Sequence, residues 1–185
     1  MDLAVADGDL RAAFGAAQRV LQILPDSEYD LWRLARLQQQ HAPADRAIAT
    51  YRRLAELRPD QSLVEYNLAL LEEKRSQPAA ALLHYERAFA LKPDLHQAAH
   101  HAARLNLQTP TGDPGRALEL AARSCELTQN QNYDYLDTLA RAFERNGKRD
   151  DALDAARRAL KLLPPGDPRS ERARRRVEAL SADAP

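Results

Sequence analysis

The sequence has little of what most catalytic, secreted and membrane proteins require. Its one cysteine excludes an internal disulfide, and its six glycines are scattered, so no glycine-rich phosphate loop is present. Lys and Arg together number 27, as do Asp and Glu, so no net charge draws the chain to nucleic acid or to an anionic membrane. Aromatic residues make up 5% of the chain and β-branched clusters are almost absent, which argues against a sheet.

Long apolar runs are also lacking. No stretch approaches the roughly 20 apolar residues of a membrane span, so we expect no membrane insertion. The start, MDLAVADGDL, has neither the basic end nor the apolar centre of a signal peptide. These features predict a cytoplasmic protein.

A Pro-Asp pair recurs at an interval of 34 residues, in ILPDS, LRPDQ and LKPDL, with prolines at Pro25, Pro59 and Pro93. Alignment on these prolines places small residues in register. One column holds Ala35, Ala69, Ala103 and Ala140, and a second holds Ala13, Ala47, Ala81, Ala117 and Ala152. Two further columns hold Ala17, Tyr51, Tyr85, Ala121 and Ala156, and then Val20, Leu54, Ala88, Ser124 and Ala159.

Each unit reads as two antiparallel helices. In DRAIATYRRLAEL, apolar residues recur at the i, i+3, i+4, i+7 spacing of a helix with one buried face. Alanine columns let two helix axes approach closely. Each proline ends the second helix of a pair, and the Asp or Ser that follows it can cap the next helix.

This pattern resembles the tetratricopeptide repeat (TPR), a helix–turn–helix unit of 34 residues, in the form found in bacterial arrays. The family's columns appear as Leu34-Ala35, Ala47, Tyr51, Leu54 and Pro59, while its tryptophan column holds Leu31, Glu65, Ala99 and Leu136 instead. The resemblance implies an all-α, right-handed α-solenoid superhelix with a C-terminal capping helix. We expect one TPR domain over 1–185, divided into a partial repeat 1–25, repeats 28–61, 62–95, 96–130 and 133–166, and a capping helix 167–182.

The turns TPTGDPG and TQNQN carry extra residues, which we interpret as loops at an edge of the stack. After Pro164, the run Arg174-Arg175-Arg176 with Glu171 and Glu178 nearby is typical of a solvated face on a capping helix rather than a phosphate site.

No catalytic constellation is visible, so we predict that the chain is not an enzyme and holds no cofactor. Cys125 lies on a helical stripe with Leu118 and Ala121, as expected of a packed thiol. His96 and His100 share a helix face, and that spacing can hold a metal, but no third ligand is near in sequence. The sequence favours ordinary groove or surface histidines and no metal site.

The resemblance implies that the first helices of successive units line a concave groove that takes a peptide or protein segment. The groove positions in the register of this sequence are Trp32, Arg36, Tyr66, Asn67, Leu70, His100, His101, Arg104, Asp137, Arg141 and Arg145. Arg36, Arg104 and Arg141 are equivalent in three units, so an acidic peptide or a terminal carboxylate is complementary in charge. The alternative, with Trp32 packed into the next pair and the arginines paired to nearby acids, stays open.

One TPR subtype grips a terminal carboxylate with lysines, asparagines and an arginine. Asn67 fits one of those positions, but Trp32, Arg36, Gln97 and His101 stand at others, so we do not expect binding of chaperone tails.

Three functions remain open: an adaptor for a peptide or protein segment, a regulatory or substrate-docking segment of a larger enzyme, and a self-assembling scaffold. The second is motivated by the partial first repeat, in which only Met1 to Asp7 remain of a first helix. The third rests on the helix Asp9 to Leu24, whose apolar side (Leu10, Phe14, Leu21) is predicted to lack a partner and so to allow self-association.

Overall fold

The computed structural model describes the backbone of residues 7–182 and the side chains of residues 12–182. No strand occurs within this range, which confirms the predicted all-α fold. Its ten helices are α1 (Asp7–Ile23), α2 (Glu28–His41), α3 (Ala44–Leu57), α4 (Ser62–Lys74), α5 (Pro78–Leu91), α6 (His96–Gln108), α7 (Pro114–Leu127), α8 (Tyr133–Arg145), α9 (Arg149–Lys161) and α10 (Ser170–Ala182).

The chain divides into two compact units at His84 and Tyr85, within α5. We call them the N-terminal and the C-terminal unit and describe each by itself. The expectation of one domain with the repeat ranges given above stays a prediction, and its residues 1–6 lie outside the described range.

The recurring prolines follow helix ends, as predicted. α3 ends at Leu57 and Pro59 comes two residues later; α5 ends at Leu91 before Pro93. The predicted capping by the residue after proline is correct at the first site only, where the Ser27 side chain accepts a hydrogen bond from the Asp30 amide at 3.4 Å.

It is wrong at the next two sites, because the N-caps of α4 and α6 are Gln61 and Leu95, neither with a side-chain cap bond. The aspartates form ion pairs with the basic residues before the prolines instead: Asp60 with Arg58 at 3.2 Å and Asp94 with Lys92 at 3.9 Å. Each pair spans the Pro-Asp turn and occupies the carboxylate that was expected to cap.

In the N-terminal unit, α1 packs on α2, α2 on α3 and α3 on α4. The core between these helices is apolar apart from one phenol group, and it consists of Leu31, Ala35, Ala47, Ile48, Tyr51, Leu54, Val64, Leu68 and Leu71. Tyr51 is fully buried, and its hydroxyl donates to Gln39 Oε1 at 2.9 Å. Ala35 and Ala47 of the predicted alanine columns also lie in this core, as predicted. A methyl group fits between closely spaced helices, where a larger side chain would push them apart.

The apolar side of α1 differs from the prediction. Leu21 packs against the core and Phe14 is partly buried, whereas the Leu10 side chain lies outside the described side chains. The exposed apolar residues of this region lie at the end of α1 and the start of α2: Val20, Ile23, Leu24 and Tyr29, which are 36%, 80%, 60% and 75% exposed. The unpartnered surface is thus the end of α1 and not the stripe through Leu21.

In the C-terminal unit, α6 packs on α7 and α8, α7 on α8, α8 on α9, and α9 on α10. The alanines of the repeat columns are buried at these contacts, among them Ala99, Ala103, Ala117, Ala140 and Ala152, each with no exposed surface. α10 covers the end of this unit through Ala173 and Leu180, which are both buried.

The longer turn between α6 and α7 is fixed by a buried amide. Asn106 is 5% exposed, and its Oδ1 accepts from the Asp113 amide at 3.1 Å, so the turn closes back on α6. A methyl group on Gly112 would overlap the Asn106 carbonyl oxygen, which is why the turn requires glycine there. Asp113 then caps α7 by accepting from the amides of Gly115 and Arg116.

Candidate functional site

Three of the five groove residues predicted in the N-terminal unit line one open pocket. The cavity measures about 780 Å³ and is formed by α2 and α4; its lining residues are Trp32, Arg36, Gln39, Gln40, Leu63, Asn67 and Lys74. We call it the Trp32 pocket. Trp32, Arg36 and Asn67 were predicted, while the others were missed.

Trp32 is held in place from two sides. Its indole Nε1 donates to Gln61 Oε1 at 2.9 Å, and its ring meets the Tyr51 ring edge-on at 5.5 Å between centroids. It is partly buried against the core and also faces the pocket. The Trp32 side chain therefore packs against the core and also lines the cavity, and its role as a contact residue for a partner stays a prediction.

The charges that line the Trp32 pocket are both positive. Arg36 and Lys74 contribute them, and no acidic residue lines the cavity. Within residues 12–182, neither cation forms an ion pair, whereas Arg52, Arg53, Arg58 and Arg75 of the same unit all do. The alternative left open above, in which the groove arginines pair with nearby acids, therefore does not hold for Arg36 among the described residues.

Two predicted residues of α4 do not line this pocket. Tyr66 and Leu70 are both partly buried on α4. Burial, reinforced by the charge of Glu73, raises the pKa of the Tyr66 phenol. Both residues stay predictions as contact residues for a partner.

In the C-terminal unit, a second open cavity of about 430 Å³ brings together five of the six groove residues predicted on α6 and α8, all except Arg145. Its lining residues are His100, His101, Arg104, Gln108, Asp134, Tyr135, Asp137, Thr138, Arg141 and Arg172. We call it the Asp137 pocket. The residues that sequence reasoning missed are the neighbours on the same two helices and Arg172 of α10.

Aromatic rings stack along one wall of the Asp137 pocket. The His100 ring lies on the Tyr135 ring at 4.3 Å between centroids, and the His101 ring lies on Tyr85 at 4.9 Å. His96 Nδ1 and the Tyr135 hydroxyl share a hydrogen bond of 2.8 Å. The His96–His100 pair is therefore built into aromatic contacts, and the part of the chain that the structure describes contains no group of three or more His, Cys, Asp or Glu that could hold a metal ion.

Asp137 connects this pocket to the last helix. Its carboxylate is nearly buried and forms ion pairs with Arg176 Nε at 3.1 Å and Arg172 Nη2 at 3.5 Å, while Arg176 also contacts Glu144 at 3.0 Å. The prediction of a solvated arginine face on α10 is therefore right for Arg175, which pairs with exposed Glu171, and wrong for Arg176. Arg176 turns toward α8 because two carboxylates there neutralise it.

Arg141 lies half-buried beside Asp137. Burial lowers the pKa of its guanidinium, the Asp137 carboxylate opposes that effect, and the positive charges of Arg176, Arg172 and Arg104 add to it. Three arginines and two aspartates line the cavity, so the lining carries a net charge of +1 (3 − 2). The electrostatics of this pocket are thus nearly balanced internally, unlike those of the Trp32 pocket.

The sole cysteine offers no nucleophile. Cys125 is 1% exposed, and burial raises the pKa of its thiol to about 11, so almost none of it is thiolate at neutral pH. Its burial agrees with the packed thiol expected from its stripe.

Repeated helix pairs with buried alanine columns define a helical-repeat protein. Comparison with solved structures identifies the repeat: the chain has the tetratricopeptide-repeat fold. The YrrB structure, described as a TPR protein with an unusual peptide-binding site, superimposes with a TM-score of 0.73 at 16% identity, covering 86% of this chain and 80% of that one. MamA superimposes with a TM-score of 0.72 at 21% identity over 84% of this chain and 83% of that one.

Larger proteins contain a similar segment. An O-GlcNAc transferase of Thermobaculum terrenum aligns at 28% identity with a TM-score of 0.55, covering 64% of this chain and 23% of that one. The Naa15/Naa10 complex bound to HypK aligns at 17% identity with a TM-score of 0.66, over 96% of this chain and 27% of that one. No family model and no curated protein matches the sequence. Among the described helices, none is both long and apolar enough to cross a lipid bilayer.

Proposed function

We propose that this chain is a non-catalytic adaptor that binds a peptide or protein segment through the exposed faces of the first helices of its repeats. The observation that carries the proposal is the gathering of eight of the predicted first-helix residues into two open pockets, one in each unit. The linings include Trp32, Tyr135 and four arginines, and such side chains anchor protein partners with large contact areas. The peptide-binding site named for YrrB supports the same use of the fold.

The adaptor function is tested with a displayed library of random twelve-residue peptides selected against the intact chain. We expect enrichment of segments that bind the wild type and bind the double variant Arg36→Glu/Arg104→Glu about tenfold more weakly, since each substitution reverses a charge at one pocket. Circular dichroism must show equal helicity for both proteins. Failure to enrich any segment, or equal binding of the enriched segments to both proteins, would contradict the adaptor function.

A second candidate is a regulatory or substrate-docking segment within a larger enzyme. The matches to about a quarter of an O-GlcNAc transferase and of the Naa15/Naa10 complex favour it. The complete reading frame that encodes the chain tests this candidate. A catalytic domain in the same frame supports it, and a frame that contains the TPR array alone contradicts it.

A further inference from the structure

The Trp32 pocket combines an apolar wall, two cations and three side-chain amides, two of which are held by contacts within the protein. The apolar wall consists of the fixed Trp32 ring and Leu63, whose side chain is 51% exposed. An exposed leucine beside a tryptophan is a surface that gains stability when an apolar side chain covers it. The first element of a ligand for this pocket is therefore an aliphatic or aromatic side chain.

The two cations determine the second element. Arg36 and Lys74 lie on α2 and α4, and the pocket lining carries a net charge of +2 because no acid accompanies them. Two like charges around one cavity repel each other, and a ligand with one or two carboxylates relieves that repulsion. A basic or neutral ligand gains nothing from them.

The amides determine the third element, because contacts within the protein fix their orientation. Gln39 Oε1 accepts from the Tyr51 hydroxyl at 2.9 Å, which leaves the Gln39 amide nitrogen to donate. Asn67 Nδ2 donates to the Leu63 carbonyl at 2.7 Å, which leaves the Asn67 carbonyl oxygen to accept. One donor and one acceptor in the same pocket match the carbonyl and the amide of an extended backbone.

We propose that the Trp32 pocket binds an extended protein segment in which an apolar side chain, seated on Trp32 and Leu63, is followed by acidic side chains that pair with Arg36 and Lys74. The proposal rests on the adaptor function and specifies its partner: a segment of a separate protein, recognised by an apolar anchor and adjacent carboxylates. The occupant is inferred from charge complementarity with the lining, which carries two positive charges and no acid; a second copy of the chain is one outcome of the test.

Trp32 is the one tryptophan of the chain, so its fluorescence reports on this pocket alone. The probes are blocked octapeptides: GSLSEESG, its uncharged counterpart GSLSQQSG, its basic counterpart GSLSKKSG, and GSSSEESG, which lacks the apolar anchor. We expect GSLSEESG to change the Trp32 emission saturably below about 1 mM, and the other three to bind at least about fivefold more weakly. Added salt is expected to weaken the binding of GSLSEESG and to leave the binding of the uncharged GSLSQQSG unchanged.

The matched variants are Arg36→Glu/Lys74→Glu and Arg33→Glu/Arg46→Glu. Both pairs reverse two charges in the same unit, but Arg33 and Arg46 are exposed and lie outside the pocket lining. We expect the affinity of Arg36→Glu/Lys74→Glu for GSLSEESG to fall by about tenfold or more, and its affinity for GSLSKKSG to rise. Arg33→Glu/Arg46→Glu is expected to keep the wild-type preference. A gain of the basic peptide cannot come from unfolding, so that result separates recognition from stability.

Several outcomes would overturn the proposal. One is the absence of a saturable change with GSLSEESG up to about 1 mM, and another is equal binding of all four peptides. A third is a Trp32 emission that changes with protein concentration alone and loses that change in Arg36→Glu/Lys74→Glu, because the occupant is then a second copy. If the displayed library enriches neutral segments that bind Arg36→Glu/Arg104→Glu more weakly than the wild type, the adaptor function stands while this proposal fails; if it enriches none, both fail.

Discussion

Ser76, two residues after the end of α4, has a φ of 57°, in the left-handed region that residues with a Cβ disfavour. The equivalent residue after α8 is Gly147, with a φ of 71°. A methyl group on Gly147 would meet nothing within 4 Å, so lack of space does not require glycine there. The positive φ is the only reason to favour glycine over serine at this turn. The turn after α8 thus has glycine, which adopts this φ without steric cost, whereas the turn after α4 has serine, which is strained by it.

We expect Ser76→Gly to raise the free energy of unfolding by about 0.5–1 kcal/mol, because glycine adopts this conformation without steric cost. The reciprocal change, Gly147→Ser, is expected to lower it by about 1 kcal/mol. Urea unfolding followed by circular dichroism measures both. A decrease in stability for Ser76→Gly would show that the serine side chain compensates for its backbone strain.

The Cys125 thiol provides a second test at the residue scale. At pH 8 a thiol with a pKa of about 11 is ionised to about one part in a thousand, and burial also blocks access to it. We expect a disulfide reagent to react with the folded chain at least about 100-fold more slowly than with the chain in denaturant. Comparable rates in the two states would contradict the burial of this residue.

At the scale of elements, α10 is fastened to the C-terminal unit at two places. Arg176 and Arg172 reach Asp137 on α8, as described above. At the other end, Arg149 of α9 donates to the carbonyls of Leu180 at 3.0 Å and Ala179 at 2.8 Å. A guanidinium at these carbonyls satisfies acceptors that a helix end leaves open and complements the negative end of its dipole.

We expect Asp137→Asn to destabilise the chain by about 1–3 kcal/mol, since it leaves Arg176 and Arg172 without their shared carboxylate while Arg141 stays half-buried beside them. Amide hydrogen exchange in α10 is expected to accelerate more than in α6 or α7. Glu171→Gln is the control, because its exposed pair with Arg175 contributes at most about 0.5 kcal/mol. Unchanged exchange in α10 would mean that the apolar contacts of Ala173 and Leu180 hold the helix by themselves.

The elements were predictable from the sequence because their signals are local. Helix periodicity, the prolines and the alanine columns each depend on residues within about one helix of each other, and Ala47 or Ala103 is buried as that spacing requires. His100 and Arg104, or Asp137 and Arg141, lie four apart on one helix face, so the register also predicts which of them share a surface.

What could not be predicted depends on how helices meet. Nothing in the sequence near Arg172 or Arg176 indicates Asp137 as their partner, because that contact follows from the packing of α10 against α9 and α8. The capping error has the same origin: Asp60 was a valid cap by residue type, but Arg58 competes for its carboxylate across the turn.

Leu63 and Lys74 of the Trp32 pocket are different, because they lie four residues before and seven residues after Asn67 on the same helix. The helical spacing therefore indicates both of them once Asn67 is chosen.

At the scale of the whole molecule, exposed apolar side chains concentrate where α1 ends and α2 begins. Ile23 and Leu24 are 80% and 60% exposed, and Tyr29 is 75% exposed. Isolated apolar residues on a surface are ordinary, but several within a short stretch favour association. We therefore expect self-association, where it occurs, to use this patch and not the predicted stripe through Leu21.

We expect the sedimentation coefficient of the wild-type chain to rise with concentration and that of Ile23→Glu/Leu24→Glu to stay constant, because two buried carboxylates would oppose contact at the patch. Leu83→Glu is the control, since Leu83 is a comparably exposed leucine away from this patch at 71%. A wild type that sediments as a monomer at all concentrations would remove self-assembly from the possible functions.

The fully buried Tyr51 has a consequence for grafting repeats between TPR proteins. Its ring supports Trp32 from within and its hydroxyl orients the amide of Gln39, whereas Ala121 and Ala156 occupy the same column further along. A chimaera that carried Trp32 and Arg36 on a repeat with alanine in this column would lack the tyrosine ring that packs against Trp32 and the hydroxyl that orients Gln39. The transferable module is therefore the whole helix pair with its buried side chains, extended to Gln61, which accepts the hydrogen bond of the Trp32 indole.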